Sequence, residues 1–274
     1  MIEERANAKV NLVLRVGAPD ADGMHPLCSL FASLTLSDTV RVERGLRDEV
    51  RCPGVDGDNL AAAALTAFRA AAPAAELPPL RIEIDKRIPV AAGLAGGSAD
   101  AAAVLRAANA IAGSPLSVDQ LRKVAAGLGS DVPSQVLPAH ALVSGVGEVV
   151  EPLDLPAMTL VLVPQAEGLA TAAVYGELDR LGGHSADLDP EALRAVAAGS
   201  LADLAGRIAN DLQPAALSLR PELAESIEQL RATGALAAQV SGSGPTTFGV
   251  FADRADGEHA AGQLPNAIVT SLNT

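Results

Sequence analysis

Residues 88–109 read IPVAAGLAGGSADAAAVLRAAN, a glycine-dense turn set directly against an alanine-rich stretch. No other segment narrows the possible folds as much. Gly93, Gly96 and Gly97 have no Cβ, so the backbone there can take positive φ and approach a ligand closely. From Ser98 onward, Ala101, Ala102, Ala103, Val104, Leu105, Arg106, Ala107 and Ala108 favour helix, with Ser98 or Asp100 expected as the N-terminal cap and Gly113 as the stop. A glycine loop ending at a helix N-terminus presents unpaired N–H groups and the positive end of the helix dipole, which suits phosphate. A tight turn ahead of a buried helix would look the same, so other residues must decide.

A chain of 274 residues with 49% hydrophobic content can bury a large core, as one large or two smaller domains. No apolar run reaches the roughly 18 to 20 residues that span a bilayer. The longest, 61–75, is broken by Arg69 and Pro73 and reads as a helix begun near Asp58. The formal charge of -13 opposes attraction to nucleic acid and to anionic membranes, so neither is expected as a partner. An anionic small molecule would need local help from a lysine, a metal ion or helix N-termini. Two cysteines are too few for a disulfide framework and no leader pattern opens the chain, which makes the cytoplasm the expected compartment. His25 and Cys28 form an H-x-x-C pair, but His140, His184, His259 and Cys52 stand alone, which argues against a zinc site.

In chain order, residues 9–16 alternate polar and apolar side chains as a half-buried strand does, placing Lys9 and Asn11 on one face. A lone lysine there would ordinarily be solvated. A turn-rich loop, 18–23, leads to Met24-His25-Pro26. Residues 29–36 and 38–43 read as two strands, 59–72 as a helix and 81–85 as a further strand. Ser117 and Gln120 match a capping box for a helix ended by Gly127 or Gly129. Strands are expected at 139–144, 148–153 and 158–163, with 152–156 as the boundary between halves. Helices follow at 171–181, 190–198, 201–208, 211–217 and 221–233, with a flexible connection at 182–189. Strands at 237–240 and 246–251 flank a second small-residue turn, Ser241-Gly242-Ser243-Gly244-Pro245. The order indicates α+β layers rather than regular βαβ alternation.

Several chemistries drop out. No Walker A lysine follows a glycine frame, no G-x-S-x-G nucleophile elbow is present, and neither later glycine turn completes G-x-G-x-x-G. Three separated elements remain: Lys9 on the first strand, the glycine loop with its helix, and the turn at 241–246. In that combination the chain resembles the GHMP kinase superfamily. Within it the motifs are similar to those of the 4-diphosphocytidyl-2-C-methyl-D-erythritol kinase family along essentially the whole chain. These are Ala8-Lys9-Val10-Asn11-Leu12, Asp22-Gly23-Met24-His25, the loop at 93–102, Gly129-Ser130-Asp131-Val132-Pro133, Asn210-Asp211-Leu212 and Ser241-Gly242-Ser243-Gly244.

The resemblance implies a two-domain α+β GHMP fold, divided here as 1–154 and 155–274, with the active site in the cleft between them. It implies ATP-dependent phosphorylation of the 2-hydroxyl of a cytidine diphosphate small molecule in non-mevalonate isoprenoid synthesis, with ATP and Mg²⁺ as cofactors. Asp131 would accept the hydroxyl proton and Lys9 would pair with it. Pro89, Ala91, Ala92, Gly93, Leu94, Ala95, Gly96, Gly97 and Ser98 would surround the ATP phosphates, with the Ser98 hydroxyl also available to the metal. Asn11, Met24, His25, Tyr175, Ser241, Gly242, Ser243 and Gly244 would face the substrate. Met24 stands where the family commonly has an aromatic residue, leaving Tyr175 as the one stacking face, and Ala99 replaces the second serine of the loop. A monomer or weak homodimer is expected. Two other readings stay open: another GHMP small-molecule kinase, of homoserine or mevalonate type, and a nonenzymatic nucleotide-binding sensor.

Overall fold

In the computed structural model, which describes residues 1–55 and 59–273, two sheets and ten helices form the described part of the chain. The N-terminal sheet is built on β1 (Ile2–Val16) and β2 (Leu27–Arg44), a long antiparallel pair. Sequence predicts two strands where β2 is one, because Ser37 and Asp38 are buried within it instead of turning outward. Nor is β1 half-buried: Ala6 through Leu14 are buried on both faces. Ala8, Val10 and Leu12 join the core that also holds Leu160, Leu162 and Phe248 of the second sheet, while Lys9 and Asn11 point to the other side.

A short strand absent from the sequence reading, β3 (Glu49–Arg51), precedes helix α1 (Leu60–Ala71), which is capped by Asn59 accepting from Ala61 N. The expected start near Asp58 lies outside the described residues. After β4 (Leu80–Asp85) comes α2 (Gly96–Ile111), the alanine-rich helix. Residues 99–105 and 107–109 of α2 are all buried, against the sheet and α1, and small side chains allow that close packing. Helices α3 (Val118–Ala126), with the expected Ser117–Gln120 capping box, and α4 (Val132–Gln135) complete this layer. Strands β5 (Ala141–Gly145) and β6 (Val149–Pro152) extend the sheet from β2.

The second sheet opens with β7 (Thr159–Val163), followed by α5 (Thr171–Leu181), α6 (Pro190–Ala197) and α7 (Leu201–Ala205). A two-residue strand, β8 (Ala209–Asn210), pairs in parallel with β1 and so returns to the first sheet. Then come α8 (Gln213–Leu219), α9 (Glu222–Ala232), β9 (Ala237–Val240) and β10 (Thr247–Phe251). Two closing elements went unseen in the sequence, α10 (Arg254–Ala261) and β11 (Ile268–Ser271), which pairs with β7. The order β11-β7-β10-β9 is antiparallel throughout. An isolated Leu34–Leu272 bridge joins the two sheets. No helix among the described residues is long and apolar enough to cross a membrane.

Asn210 carries much of the junction. Its Nδ2 donates to Val240 O (2.9 Å) and Gly242 O (2.8 Å), and its Oδ1 accepts from Leu212 N (2.9 Å). Next to it Asp211 accepts from Val16 N and from Arg15 Nη1, both at 2.9 Å, and from Ser185 Oγ at 2.6 Å. Asn210→Ala strands two carbonyls and an N–H and is expected to lower stability by about 2 kcal/mol, within the usual range for buried groups left unpaired. A denaturant midpoint equal to that of the wild type, with equal slope, would contradict this.

Candidate active site

The two glycine turns meet backbone to backbone. Gly93 has φ +74°, and a Cβ there would lie 2.5 Å from Gly244 O and 2.8 Å from Ser241 O, an approach only glycine permits. Ser241 Oγ donates to Gly93 O (3.2 Å) and Thr246 N to Ala92 O (3.3 Å). From the other side Lys9 N donates to Leu94 O at 3.1 Å, fixing the loop on β1. The side chains of Ala92 and Leu94 are spent in the core, which turns the loop backbone toward a cleft of about 1010 Å³.

Every residue from Pro89 to Ser98 lines this cleft. Helix α2 starts earlier than its sequence predicts, because Ala95, in the left-handed region at φ 57°, occupies the cap position with no side-chain hydrogen bond. Ser98 and Asp100 are therefore inside the helix and neither caps it. The first N–H groups lack an accepting side chain, and a Cβ on Gly97 would meet nothing within 4 Å, so the helix start opens on the cleft. Such a start suits an anion held by backbone alone. The half-buried Ser98 adds the one hydroxyl of this turn.

Opposite the loop, Lys9 is only 4% exposed. Its Nζ donates to Asn11 Oδ1 at 2.8 Å, stands 4.3 Å over the Phe31 ring, and lies 3.4 Å from Asp131 Oδ2. Asn11 is held in turn by Ser29: Nδ2 donates to Ser29 Oγ (2.9 Å), which donates to Val13 O (2.6 Å). Asp131 occupies the cap position of α4, but its carboxylate makes no cap hydrogen bond. A residue that could have been structural is thereby left facing the lysine and the cleft. Gly242 and Ser243 line the same cavity, and Ser243 Oγ lies 3.0 Å from Thr171 Oγ1 at the start of α5. Ser241 and Gly244 lie buried behind the lining and act on the loop instead.

On the α5 side stand Met24, His25 and Tyr175, the two rings 5.0 Å apart and tilted by 56°. Burial pushes the Tyr175 phenol up to about 12, with the Asp131 charge adding to it. Met24 is largely exposed and His25 Nε2 lies 2.7 Å from Asp179 Oδ1. His184, which sequence spacing leaves alone, reaches the same oxygen at 2.8 Å. Hydrogen bonds from His25 and His184 hold the Asp179 carboxyl below its ordinary value.

Past the other edge of the loop the cleft is lined by Cys52, Val55, Asn59, Leu60, Lys86 and Val90, none of which the sequence singles out. Beneath it lies a buried charge cluster. Lys86 Nζ donates to Asp38 and to Asp100 Oδ2 (2.8 Å), and Asp38 Oδ1 also accepts from Arg87 N (2.6 Å) and Ile88 N (2.8 Å). Burial works against the Lys86 ammonium, but Asp100 and Asp38 outweigh it and hold its pKa up. Asp100 Oδ1 is buried with no partner, and burial pushes this carboxyl up to about 7. The available signal was Asp100 itself, a charge set in an alanine run, with Ala99 before it and Ala101, Ala102 and Ala103 after it.

Comparison with known proteins follows the same lines. Residues 59–138 match the family model for the GHMP kinases N terminal domain and residues 191–269 that for the GHMP kinases C terminal. A 4-diphosphocytidyl-2-C-methyl-D-erythritol kinase of Streptomyces coelicolor is 44% identical over 95% of this chain and 91% of its own. One from Moorella thermoacetica is 41% identical over 97% of this chain and 96% of its own. A crystal structure of 4-(cytidine 5'-diphospho)-2C-methyl-D-erythritol kinase superposes with a TM-score of 0.84 at 34% identity, covering 100% of both chains. The L. major mevalonate kinase, at 14% identity and TM-score 0.70, shares the fold.

Two outcomes test the geometry. Gly93→Ala drives a Cβ into the Gly244 carbonyl, so ATP affinity is expected to fall at least about tenfold and stability to drop, by 1–3 kcal/mol or so for a non-glycine in strained backbone; nucleotide titration and a melt read both. For Asp100, the folded pKa of about 7 exceeds the unfolded 3.8, so the folded state holds the extra proton. Its contribution to stability is therefore full at low pH and is lost as pH rises from about 4 through 7. Wild type should lose stability relative to Asp100→Asn across that window and no further above it; a constant difference would contradict the assignment.

Proposed function

We infer the reaction from kinship and geometry together: the chain belongs to the GHMP kinase family, among the 4-diphosphocytidyl-2-C-methyl-D-erythritol kinases, and it transfers phosphate from ATP to that cytidine nucleotide. The acceptor is the 2-hydroxyl, a step of non-mevalonate isoprenoid synthesis. The observation that carries the reading at the level of chemistry is the Lys9–Asp131 pair, 3.4 Å apart, facing the phosphate loop across the cleft.

In this proposal Asp131 receives the hydroxyl proton as the oxygen attacks the γ-phosphorus and the bond from that phosphorus to the β–γ bridging oxygen breaks, releasing ADP. Lys9, fixed by Asn11 and the β1 backbone, orients Asp131 and offsets the charge gathering on the transferred group. The N–H groups at the start of α2 hold the triphosphate, and little covalent work remains for the protein. Mg²⁺ would supply charge neutralisation to the phosphates, and the Ser98 hydroxyl at the uncapped helix start would help hold it there. The cleft extends both ways from the loop, which supports a division of labour. Tyr175 and His25 would meet the cytosine, and the pocket of Val55, Asn59 and Lys86 would take the adenine of ATP.

The division at 154/155 belongs to the same proposal, supported by the break between β6 and β7. A cytoplasmic enzyme, working as a monomer or weak homodimer, fits the acidic chain and its two unpaired cysteines.

Purified protein with ATP, Mg²⁺ and the cytidine substrate should release ADP in step with phosphorylated product, and chelation of Mg²⁺ should stop it. Homoserine or mevalonate turned over in preference would overturn the substrate assignment. Asp131→Ala is expected to lower kcat by about 10² to 10⁴ with ATP binding retained. A near-normal kcat would remove Asp131 as the base.

A further inference from the structure

His25, Asp179 and His184 come from three different places in the fold. His25 precedes β2, Asp179 lies in the last turn of α5, and His184 follows Gly182, whose left-handed φ of 69° ends that helix and turns the chain back. The two imidazole rings are stacked, with centroids 5.7 Å apart and planes 21° from parallel. Their Nε2 atoms converge on one oxygen, Asp179 Oδ1, at 2.7 and 2.8 Å, and the three atoms all lie within 4.8 Å of one another. Stacked rings place two lone-pair directions side by side, and the carboxylate supplies a third donor and a negative charge.

We propose that these three side chains form a binding site for a divalent transition ion, Zn²⁺ foremost, at the substrate end of the cleft. Nitrogen and oxygen ligands sit about 2.0–2.2 Å from Zn²⁺, which in a tetrahedron puts them about 3.3–3.5 Å apart. That spacing lies between the present contacts of 2.7–2.8 Å and the 4.8 Å within which all three atoms fall, so a small opening of the cluster would seat the ion. Two imidazoles and one carboxylate suit zinc and its neighbours, and do not suit Mg²⁺, which takes oxygen and keeps its waters. The site is thus chemically separate from the metal that accompanies ATP. His25 and Asp179 line the cleft, so the fourth ligand position opens into it.

The consequence for activity rests on the reading of His25 and Tyr175 as the cytosine-facing pair. An ion on His25 brings a positive charge and a bound water into that space, so Zn²⁺ and the cytidine nucleotide exclude one another while ATP is untouched.

Calorimetric titration of the intact, metal-free protein with ZnCl₂, without any nucleotide, tests the site itself. One equivalent should bind to the wild type. His184→Ala and Asp179→Asn should each weaken it at least about tenfold, as loss of a ligand or its support does, with melting and circular dichroism showing that both variants are folded. Equal binding by wild type and both variants, or none by the wild type, overturns the site whatever the enzyme's substrate is. The second arm is kinetic: micromolar Zn²⁺ at saturating Mg²⁺ should raise KM for the cytidine substrate and leave KM for ATP unchanged in wild type, and should leave both unchanged in His184→Ala. Zinc that binds without moving that KM overturns the exclusion. Inhibition that persists in His184→Ala acts through the nucleotide and also overturns it.

Discussion

Everything in the cleft depends on the contact between Gly93 and the Ser241–Gly244 turn. These segments are some 150 residues apart in sequence, and their backbones touch at a distance that no side chain would allow. The contact sets the height of the phosphate loop over β1 through Leu94 and Lys9, and it brings Gly242 to where a Cβ would meet Asn11 Oδ1 at 3.1 Å. Asn210, bonded to the carbonyls of Val240 and Gly242, holds the far side of the same turn. Lys9, loop and turn are thus one rigid constellation assembled from both halves of the chain.

That constellation explains how an acidic protein can hold two nucleotides. The net charge of -13 belongs to the chain as a whole, and beyond a Debye length of about 8 Å the field of exposed charges is largely screened at physiological salt. What a phosphate meets in the cleft is local: the uncapped start of α2, Lys9 at 4% exposure, and Lys86 beneath Gly96. A helix N-terminus contributes roughly 0.3–1 kcal/mol per charge in the open and up to about 2 when partly buried. Placement, therefore, outweighs net charge.

Much of this was legible in the sequence because it is local. The loop and its helix, the Ser117 capping box, α5 and the two strands around the second glycine turn are written in spacing and propensity, and Lys9 and Asp131 came from motif order. What failed to read was tertiary. The break between strands expected at Ser37 falls inside β2, where the neighbouring Asp38 answers two backbone N–H groups and Lys86. Asp100 looks like a cap and is a buried partner of the same lysine. His184 looks solitary because its neighbours, His25 and Asp179, are distant or unremarkable in sequence and meet only through the reversal at Gly182. Strands β3 and β8 are too short to show a period, and α10 with β11 lacks a sharp apolar rhythm.

The uncapped start of α2 also bears on how such an enzyme could change over evolutionary time. Its free donors are peptide N–H groups, which every substitution except proline leaves in place, so the donor set of this helix start is hard to retune in small mutational steps. It is either kept or, by a change at Gly93, lost. Freedom to drift belongs to the side chains at the two ends, Met24 and Tyr175 on one and Val55 and Asn59 on the other, and it is there that one phosphate-handling frame can be refitted to a new acceptor.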